Sequence, residues 1–319
     1  MFAPVVALAG ALVYGSADFL GGLAARRLRS IVVTAVAAAT GLVLLVVAYP
    51  AIGGDWIPAD IGWGILSGFT GAIAIVLLYA CLAIGPMSIL SPLTAVVSAV
   101  APILWGLLIE GETLSGIGYA GLGVALVAVV LVGFIPGEKA VRPSLRGLLF
   151  AVGAGLAIGA FLIVIDRTSA ESGLVPLIVN RSVSTVLTSA VVGILALAAV
   201  RGGRRASSVF AAAGARLGAT PTGHADLEHA DETPSPPPRA AAARAWWLAA
   251  GCGALDATAN VAMVFALRLG DLAIVSALTA MYPAGTILLA SVVLRERIAG
   301  VQWLGLGLAL AAGAMLALA

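Results

Sequence analysis

The feature that most constrains this sequence is a series of apolar runs, each about 20 residues long, that fill almost the whole chain. A helix needs roughly 20 apolar residues to cross a hydrocarbon core about 30 Å thick. Only 10% of the residues are charged and 61% are hydrophobic, whereas a soluble domain carries about 25% charged residues. These runs exclude a soluble domain and predict an all-α polytopic membrane protein.

Charged residues, prolines and glycines divide the apolar sequence into ten predicted transmembrane spans. The connections between them are short, so consecutive spans are expected to be antiparallel neighbours. The predicted spans cover residues 3–25, 31–51, 61–84, 87–109, 114–135, 146–165, 173–200, 245–268, 272–294 and 300–319.

One segment, residues 201–244, differs in composition from the rest. It contains six arginines, both histidines and a proline-rich stretch. Such a segment cannot bury enough apolar surface to offset the entropy of ordering it. We therefore expect a disordered polar loop on the cytoplasmic side.

The chain also contains a weak internal repeat. Residues Ser91–Ala95 (SPLTA) match Ser276–Ala280 (SALTA), and Gly121–Leu126 (GLGVAL) match Gly305–Leu310 (GLGLAL). Sequence rich in Ala, Leu and Gly produces such matches by chance, but their shared order and nearly constant separation favour a true repeat. We predict a first five-helix repeat at 1–137, a linker at 138–145 and a second repeat at 146–319.

The two repeats are expected to have opposite orientations in the membrane, because each contains an odd number of spans. Equivalent loops also differ in charge: the loop after span one carries Arg26, Arg27 and Arg29, whereas the loop after span six carries Asp166 and Glu171. Inverted repeats can expose one midplane site alternately to the two sides of the membrane. This architecture is typical of secondary transporters.

Five plus five spans, the pair Tyr282-Pro283 in span nine and the turn Arg295-Glu296-Arg297 before a glycine-rich last helix resemble the EamA-type proteins of the drug/metabolite transporter superfamily. In the first half, Gly111-Glu112 retains the glutamate of that turn. The resemblance implies ten helices around a central cavity that moves small organic metabolites, often outward, by exchange or with protons. It also implies cytoplasmic termini.

Three charged residues lie well inside predicted spans: Asp18, Arg181 and Asp256. Each costs about 2.5–3.5 kcal/mol at a span centre, so such a residue almost always faces a partner or a wet cavity. Helical spacing places Asn260 on the same face as Asp256. These four residues are predicted to bind substrate, together with the amphipathic side chains of Tyr14, Tyr79 and Tyr282.

Two interpretations of the charged residues remain open. In the first, Arg181 pairs with Asp256 or Asp18 and only fixes the packing of the helices. In the second, the guanidinium binds a substrate carboxylate or phosphate, while the acids bind an ammonium group or a coupling proton. An ion pair that substrate groups replace during transport would combine both.

The sequence therefore predicts a bacterial inner-membrane transporter of small polar metabolites such as amino acids. Efflux of cationic drugs is the nearest alternative, and an intramembrane enzyme acting on lipid-linked substrates is a remoter one. No catalytic residue, cofactor, metal site or nucleic-acid partner is predicted, because no histidine pattern, phosphate-binding loop or basic patch is present. Protons are candidate coupling ions, and the oligomeric state is left open.

The positive-inside rule leads to a first prediction. The most basic loops follow spans one, five, seven and nine, so with ten spans both termini are expected outside. Reporter domains fused separately to Met1 and Ala319 should both be active on the periplasmic side. Termini on opposite faces would contradict an even number of spans, and two cytoplasmic termini would contradict the charge argument.

Overall fold

In the computed structural model, residues 2–25, 27–84, 87–133, 144–210, 239–294 and 299–318 are described. This part of the chain is all-α and contains no β-strand. The apolar composition explains why, since in lipid a helix satisfies every backbone hydrogen bond within one segment.

Eleven α-helices follow one another along these residues. In the first half they are α1 (Phe2–Ala25), α2 (Ser30–Ile52), α3 (Pro58–Ile84), α4 (Met87–Trp105) and α5 (Gly116–Gly133). In the second half they are α6 (Leu145–Asp166), α7 (Val175–Arg201), α8 (Arg239–Leu269), α9 (Leu272–Thr279), α10 (Tyr282–Leu289) and α11 (Gly300–Ala317). A π-helical turn extends α4 over Gly106–Glu110, and another extends α10 over Ala290–Leu294.

Eight helical segments in the described residues are long and apolar enough to cross a membrane. The chain is therefore a multi-pass membrane protein. A helix occupies each of the ten segments predicted from the sequence, while ten crossings remain a prediction.

The structure corrects two details of the sequence analysis. Span nine is not one continuous helix, because a turn at Ala280 and Met281 separates α9 from α10. Pro283 has no amide hydrogen and its ring crowds the preceding turn, which disfavours an uninterrupted helix there. The predicted disordered loop is also too wide: residues 206–209 form a 3₁₀ turn and α8 already begins at Arg239. Residues 211–238 of that loop lie outside the described part.

The helices are arranged around α9 and α10. In the segment 272–293, 83% of the residues in the apolar window are buried, compared with 11% in α7. Many large apolar side chains of α2 and α7, such as Val47 and Val186, are exposed, as on helices that face lipid. The centre of the molecule is therefore the α9–α10 segment, which packs against α1, α4 and α5.

Two ends of the molecule can be distinguished by their loops. One end, which we call the acidic face, comprises residues 53–57, 111–115, 167–174 and 270–271. Hydrogen bonds connect these loops to one another or to the ends of neighbouring helices. At the opposite end, the basic face, the Arg29 amide donates to the Phe210 carbonyl, and the Phe210 ring packs edge-to-face on Trp246.

Helices α1 and α10 approach each other at a glycine. A β-carbon on Gly15 would lie 2.6 Å from the Thr286 amide nitrogen and 2.7 Å from the Gly285 α-carbon. The Thr286 hydroxyl also donates to the Gly15 carbonyl at 2.9 Å. This close approach of backbones brings Tyr282, at the start of α10, next to α1.

Replacing Gly15 with valine should therefore destabilise the protein. Backbone atoms cannot move aside as side chains do. We therefore expect the free energy of unfolding to fall by about 1–3 kcal/mol, as in other overpacked interiors. The thermal unfolding midpoint in detergent measures it. The matched control is Gly307→Val, because a β-carbon there would meet nothing within 4 Å. Equal midpoints for the two variants would contradict the packing.

Candidate functional site: a buried ion pair between three helices

The charged residues predicted within the membrane lie together in the structure. Arg181 of α7 forms a salt bridge with Asp256 of α8 through Nη2 and Oδ2. Asp18 of α1 lies within electrostatic range of Asp256. The structure thus brings one guanidinium from α7 close to a carboxylate of α8 and a carboxylate of α1.

Glycines make room for this ion pair. A β-carbon on Gly41 of α2 would lie 3.8 Å from the Arg181 Cδ and 3.1 Å from the Gly253 carbonyl oxygen. A β-carbon on Gly253 of α8 would collide with the backbone of Ala37. Helices α2 and α8 therefore touch along their backbones, and the arginine side chain lies beside their contact.

The ion pair remains partly accessible despite its depth. The exposed fraction of the side chain is 15% for Arg181 and 25% for Asp256. A carboxylate packed tightly between apolar helices would expose almost nothing, whereas these values are expected for groups that border a hollow. Asp18, Tyr14 and Tyr282 are also partly exposed.

Asp18 differs from Asp256 in its partners. Within the described residues, no salt bridge or hydrogen bond is formed by the Asp18 carboxylate. Removing an unpaired carboxylate from water is costly, so such a group binds a proton or a cation, or stays hydrated. Asp18 is therefore the part of the site with unused binding capacity.

Tyr14 and Asn260 line one side of the charged cluster. The Tyr14 hydroxyl contacts the Met263 sulfur at 3.9 Å, one turn beyond Asn260 on α8. The Asn260 side chain is 2% exposed and donates to the Asp256 carbonyl at 2.8 Å. Asn260 is thus buried and held by its own helix, while Tyr14 is partly exposed.

Of the seven residues predicted to bind substrate, the structure brings six together: Tyr14, Asp18, Arg181, Asp256, Asn260 and Tyr282, the last within electrostatic range of Asp18. The side chain of Tyr79 lies outside the described part of the chain. Sequence reasoning did not select Thr185 as a site residue. Its hydroxyl is buried one turn beyond Arg181 without a hydrogen-bond partner, as is the Arg181 Nε.

Polar contacts also connect the loops of the acidic face. Asp60 accepts from the Ser169 hydroxyl at 2.6 Å, and Arg268 donates to the carbonyls of Ser169 and Gly173 at 3.2 and 3.0 Å. A separate cavity of about 200 Å³ borders Arg268 and the end of α6. It lies beyond the charged cluster, towards the acidic face.

The acidic face also joins the two halves of the chain. The Arg167 guanidinium pairs with the Glu110 carboxylate at 2.8 Å and stacks over the Trp105 ring. Glu112 accepts hydrogen bonds from the backbone amides of Leu272 and Ala273 at 2.7 and 3.0 Å. Burial raises the pKa of Glu112, whereas these two amide hydrogen bonds lower it.

Among the described residues, no group of three or more His, Cys, Asp or Glu side chains could hold a metal ion. The arrangement at the centre can instead bind polar groups of both signs. A guanidinium offers paired donors to a carboxylate or phosphate, and a free carboxylate offers acceptors to an ammonium group.

Comparison with known proteins finds a family match in the second half of the chain. Residues 184–318 match the model of the EamA-like transporter family. This confirms the resemblance predicted from the sequence and indicates a membrane transporter. The match includes Asp256 and Tyr282, while Asp18 and Arg181 precede it.

The fold extends the comparison to the whole chain. A protein of known crystal structure superposes with a TM-score of 0.69 over 99% of this chain and 96% of the other chain, at 15% sequence identity. At this identity the likeness concerns the fold alone. A search of curated proteins finds no match.

The ion pair gives a prediction about stability. In Arg181→Met, Asp256 keeps its buried charge without a partner, so we expect the free energy of unfolding to fall by about 3–5 kcal/mol. The double variant Arg181→Met/Asp256→Leu should regain most of it, because no charge remains buried. Thermal unfolding of the purified protein measures both.

Arg167→Met is the matched control, because Arg167 is 41% exposed in its pair with Glu110. Exposed pairs contribute about 0–1 kcal/mol. A single Arg181→Met variant as stable as this control would mean that the central pair is hydrated rather than buried.

Proposed function

We propose that this protein is a secondary transporter of the bacterial inner membrane that moves small polar organic metabolites, with amino acids as the leading class, by alternating access. The observation that carries the proposal is the partly accessible Arg181–Asp256 pair beside the unpaired Asp18, deep within apolar helices. Lipid-facing helices do not tolerate such groups, so they mark a site for polar ligands.

The proposal includes ten crossings arranged as two inverted repeats, residues 1–137 and 146–319, joined by a linker at 138–145. The helix contacts support it, because the most extensive contacts between the two halves have counterparts when α1–α5 are exchanged with α6–α11. Thus α1 packs on α8 as α6 packs on α3, and α2 packs on α8 as α7 packs on α3. Helices α2 and α7, and likewise α5 and α11, pair with each other.

The two π-helical turns add independent support for this repeat. They lie at 106–110 and 290–294, at the same separation as the matching motifs Gly121–Leu126 and Gly305–Leu310. Chance similarity of sequence rich in Ala, Leu and Gly would not place the same uncommon turn at equivalent positions.

The charges at the centre favour a substrate with both an acidic and a basic group. A substrate carboxylate would replace Asp256 on the Arg181 guanidinium, and an ammonium group would pair with Asp18 or the released Asp256. The ion pair would then re-form when substrate leaves. Because each charge of such a ligand finds an opposite charge in the site, it would stabilise the occupied site more than a neutral metabolite would.

Export of organic cations is a second candidate function. The observation in its favour is the balance of two carboxylates against one guanidinium. A monovalent cation would neutralise Asp18 without disturbing the Arg181–Asp256 pair. A proton could occupy the same carboxylate on the return step, which would couple transport to the proton gradient.

A ligand screen by thermal shift tests the proposal. Amino acids, amines that lack the carboxylate and carboxylic acids that lack the amine are compared on wild type and Asp256→Asn. We expect at least one amino acid to raise the unfolding midpoint of wild type. The ligand affinity derived from this shift should fall at least tenfold, as an order of magnitude, in Asp256→Asn.

Asp55→Asn is the matched control, since Asp55 lies exposed in a loop of the acidic face. It should bind like wild type. Stabilisation by amines alone would favour cation export. Stabilisation that Asp256→Asn leaves unchanged would contradict the assignment of the site.

A further inference from the structure

The contact of Glu112 with α9 differs from the other contacts of the acidic face. The first amides of a helix have no intrahelical acceptor and need one from elsewhere. Asp271 precedes α9 but its side chain makes no capping hydrogen bond. The carboxylate of Glu112, 160 residues earlier in the chain, accepts from the Leu272 amide instead.

This contact reaches the centre of the molecule through one short, buried segment. All eight residues of α9 are buried, and α10 begins three residues later at Tyr282, beside Gly15 of α1. A shift at the N-terminus of α9 would therefore be transmitted to the helix that borders Asp18. The other polar contacts of this face join α3, α4, α6, α7 and α8 instead.

Favourable and unfavourable terms nearly offset each other in the free energy of the contact between Glu112 and α9. Two hydrogen bonds from backbone amides to a charged acceptor at a helix N-terminus are favourable. Burial and the neighbouring carboxylates of Asp271 and Glu110 oppose the charge of Glu112. A contact balanced in this way can be made and broken without unfolding either helix, because loop residues at the membrane surface have water as an alternative partner.

We propose that Glu112 is a positioning residue that keeps the acidic face closed by capping α9, and that release of this cap opens the path from the central site to that face. The inference rests on alternating access as part of the proposed function. It concerns the gate and not the ligand, so it can be tested without knowing the substrate.

The test measures access to a cysteine placed just beyond the site. Met263 is 1% exposed, contacts Tyr14 and lies on the side of Asp256 that leads to the acidic face. Met263→Cys is introduced into the full chain after Cys81 and Cys252 are replaced by serine. A membrane-impermeant maleimide is then applied in proteoliposomes from each face separately.

Loss of the cap should raise the labelling rate from the acidic face only. We expect about a threefold to tenfold increase in Glu112→Ala, the range that loss of helix-cap hydrogen bonds produces, and a smaller increase in Glu112→Gln, which keeps one acceptor oxygen. Glu171→Ala is the matched control, since this exposed glutamate lies on the same face but caps no helix. It should label like the parent.

Three results would overturn the proposal: equal labelling of Glu112→Ala and Glu171→Ala, a faster reaction from both faces, or a Glu112→Gln variant that labels faster than Glu112→Ala. The second would mean general loosening, which thermal unfolding of the same variants also detects. None of these results affects ligand binding to Asp256. Conversely, a failed ligand screen leaves the labelling result valid.

Discussion

The cost of holding a charge in a medium without water governs this structure. Arg181 and Asp256 meet this constraint by pairing with each other. Helix α2 packs on both α7 and α8, and the glycines at positions 41 and 253 let α2 approach α8 closely beside the Arg181 side chain. Asp18, on α1, remains without an ionic partner among the described residues. Close helix packing and the pairing of charges therefore occur at the same place, around Arg181 and Asp256. This place is also the best candidate for binding polar ligands.

The acidic face uses a different physical principle. Its loops are joined by hydrogen bonds between backbone groups and side chains of separate helices, such as Asp60 with Ser169 and Glu112 with Leu272. At a membrane surface, water can replace each of these partners, so the net free energy of each contact is small. A set of small contacts can close one end of a transporter firmly while leaving the closed and open arrangements close in free energy. In the hydrocarbon core, water cannot replace a lost hydrogen-bond partner. The helices there pack instead through glycine and alanine.

The sequence predicted some parts of this structure more accurately than others. Apolar runs located the helices to within a few residues, because the thickness of the bilayer fixes the length of a span. The break at Ala280 and Met281 was not predicted, since Pro283 alone does not determine whether a helix bends or stops. Six of the seven proposed site residues lie together because charged and amphipathic side chains in a span have few alternatives to facing one another. Thr185 was not selected because hydroxyl groups on helices more often bond to their own backbone, as Thr188 does.

By itself, the sequence determined that the chain spans a membrane with helices, that short motifs of its first half recur in its second, and that Asp18, Arg181 and Asp256 need polar surroundings. The reason is that hydrophobicity and buried charge act through energies that depend on each residue almost independently of its neighbours. Only the tertiary structure decided that Arg181 pairs with Asp256 and not with Asp18, and that Glu112 caps α9. Those choices depend on the distances between side chains more than 70 residues apart in the chain, which are set by how closely the helix backbones approach each other.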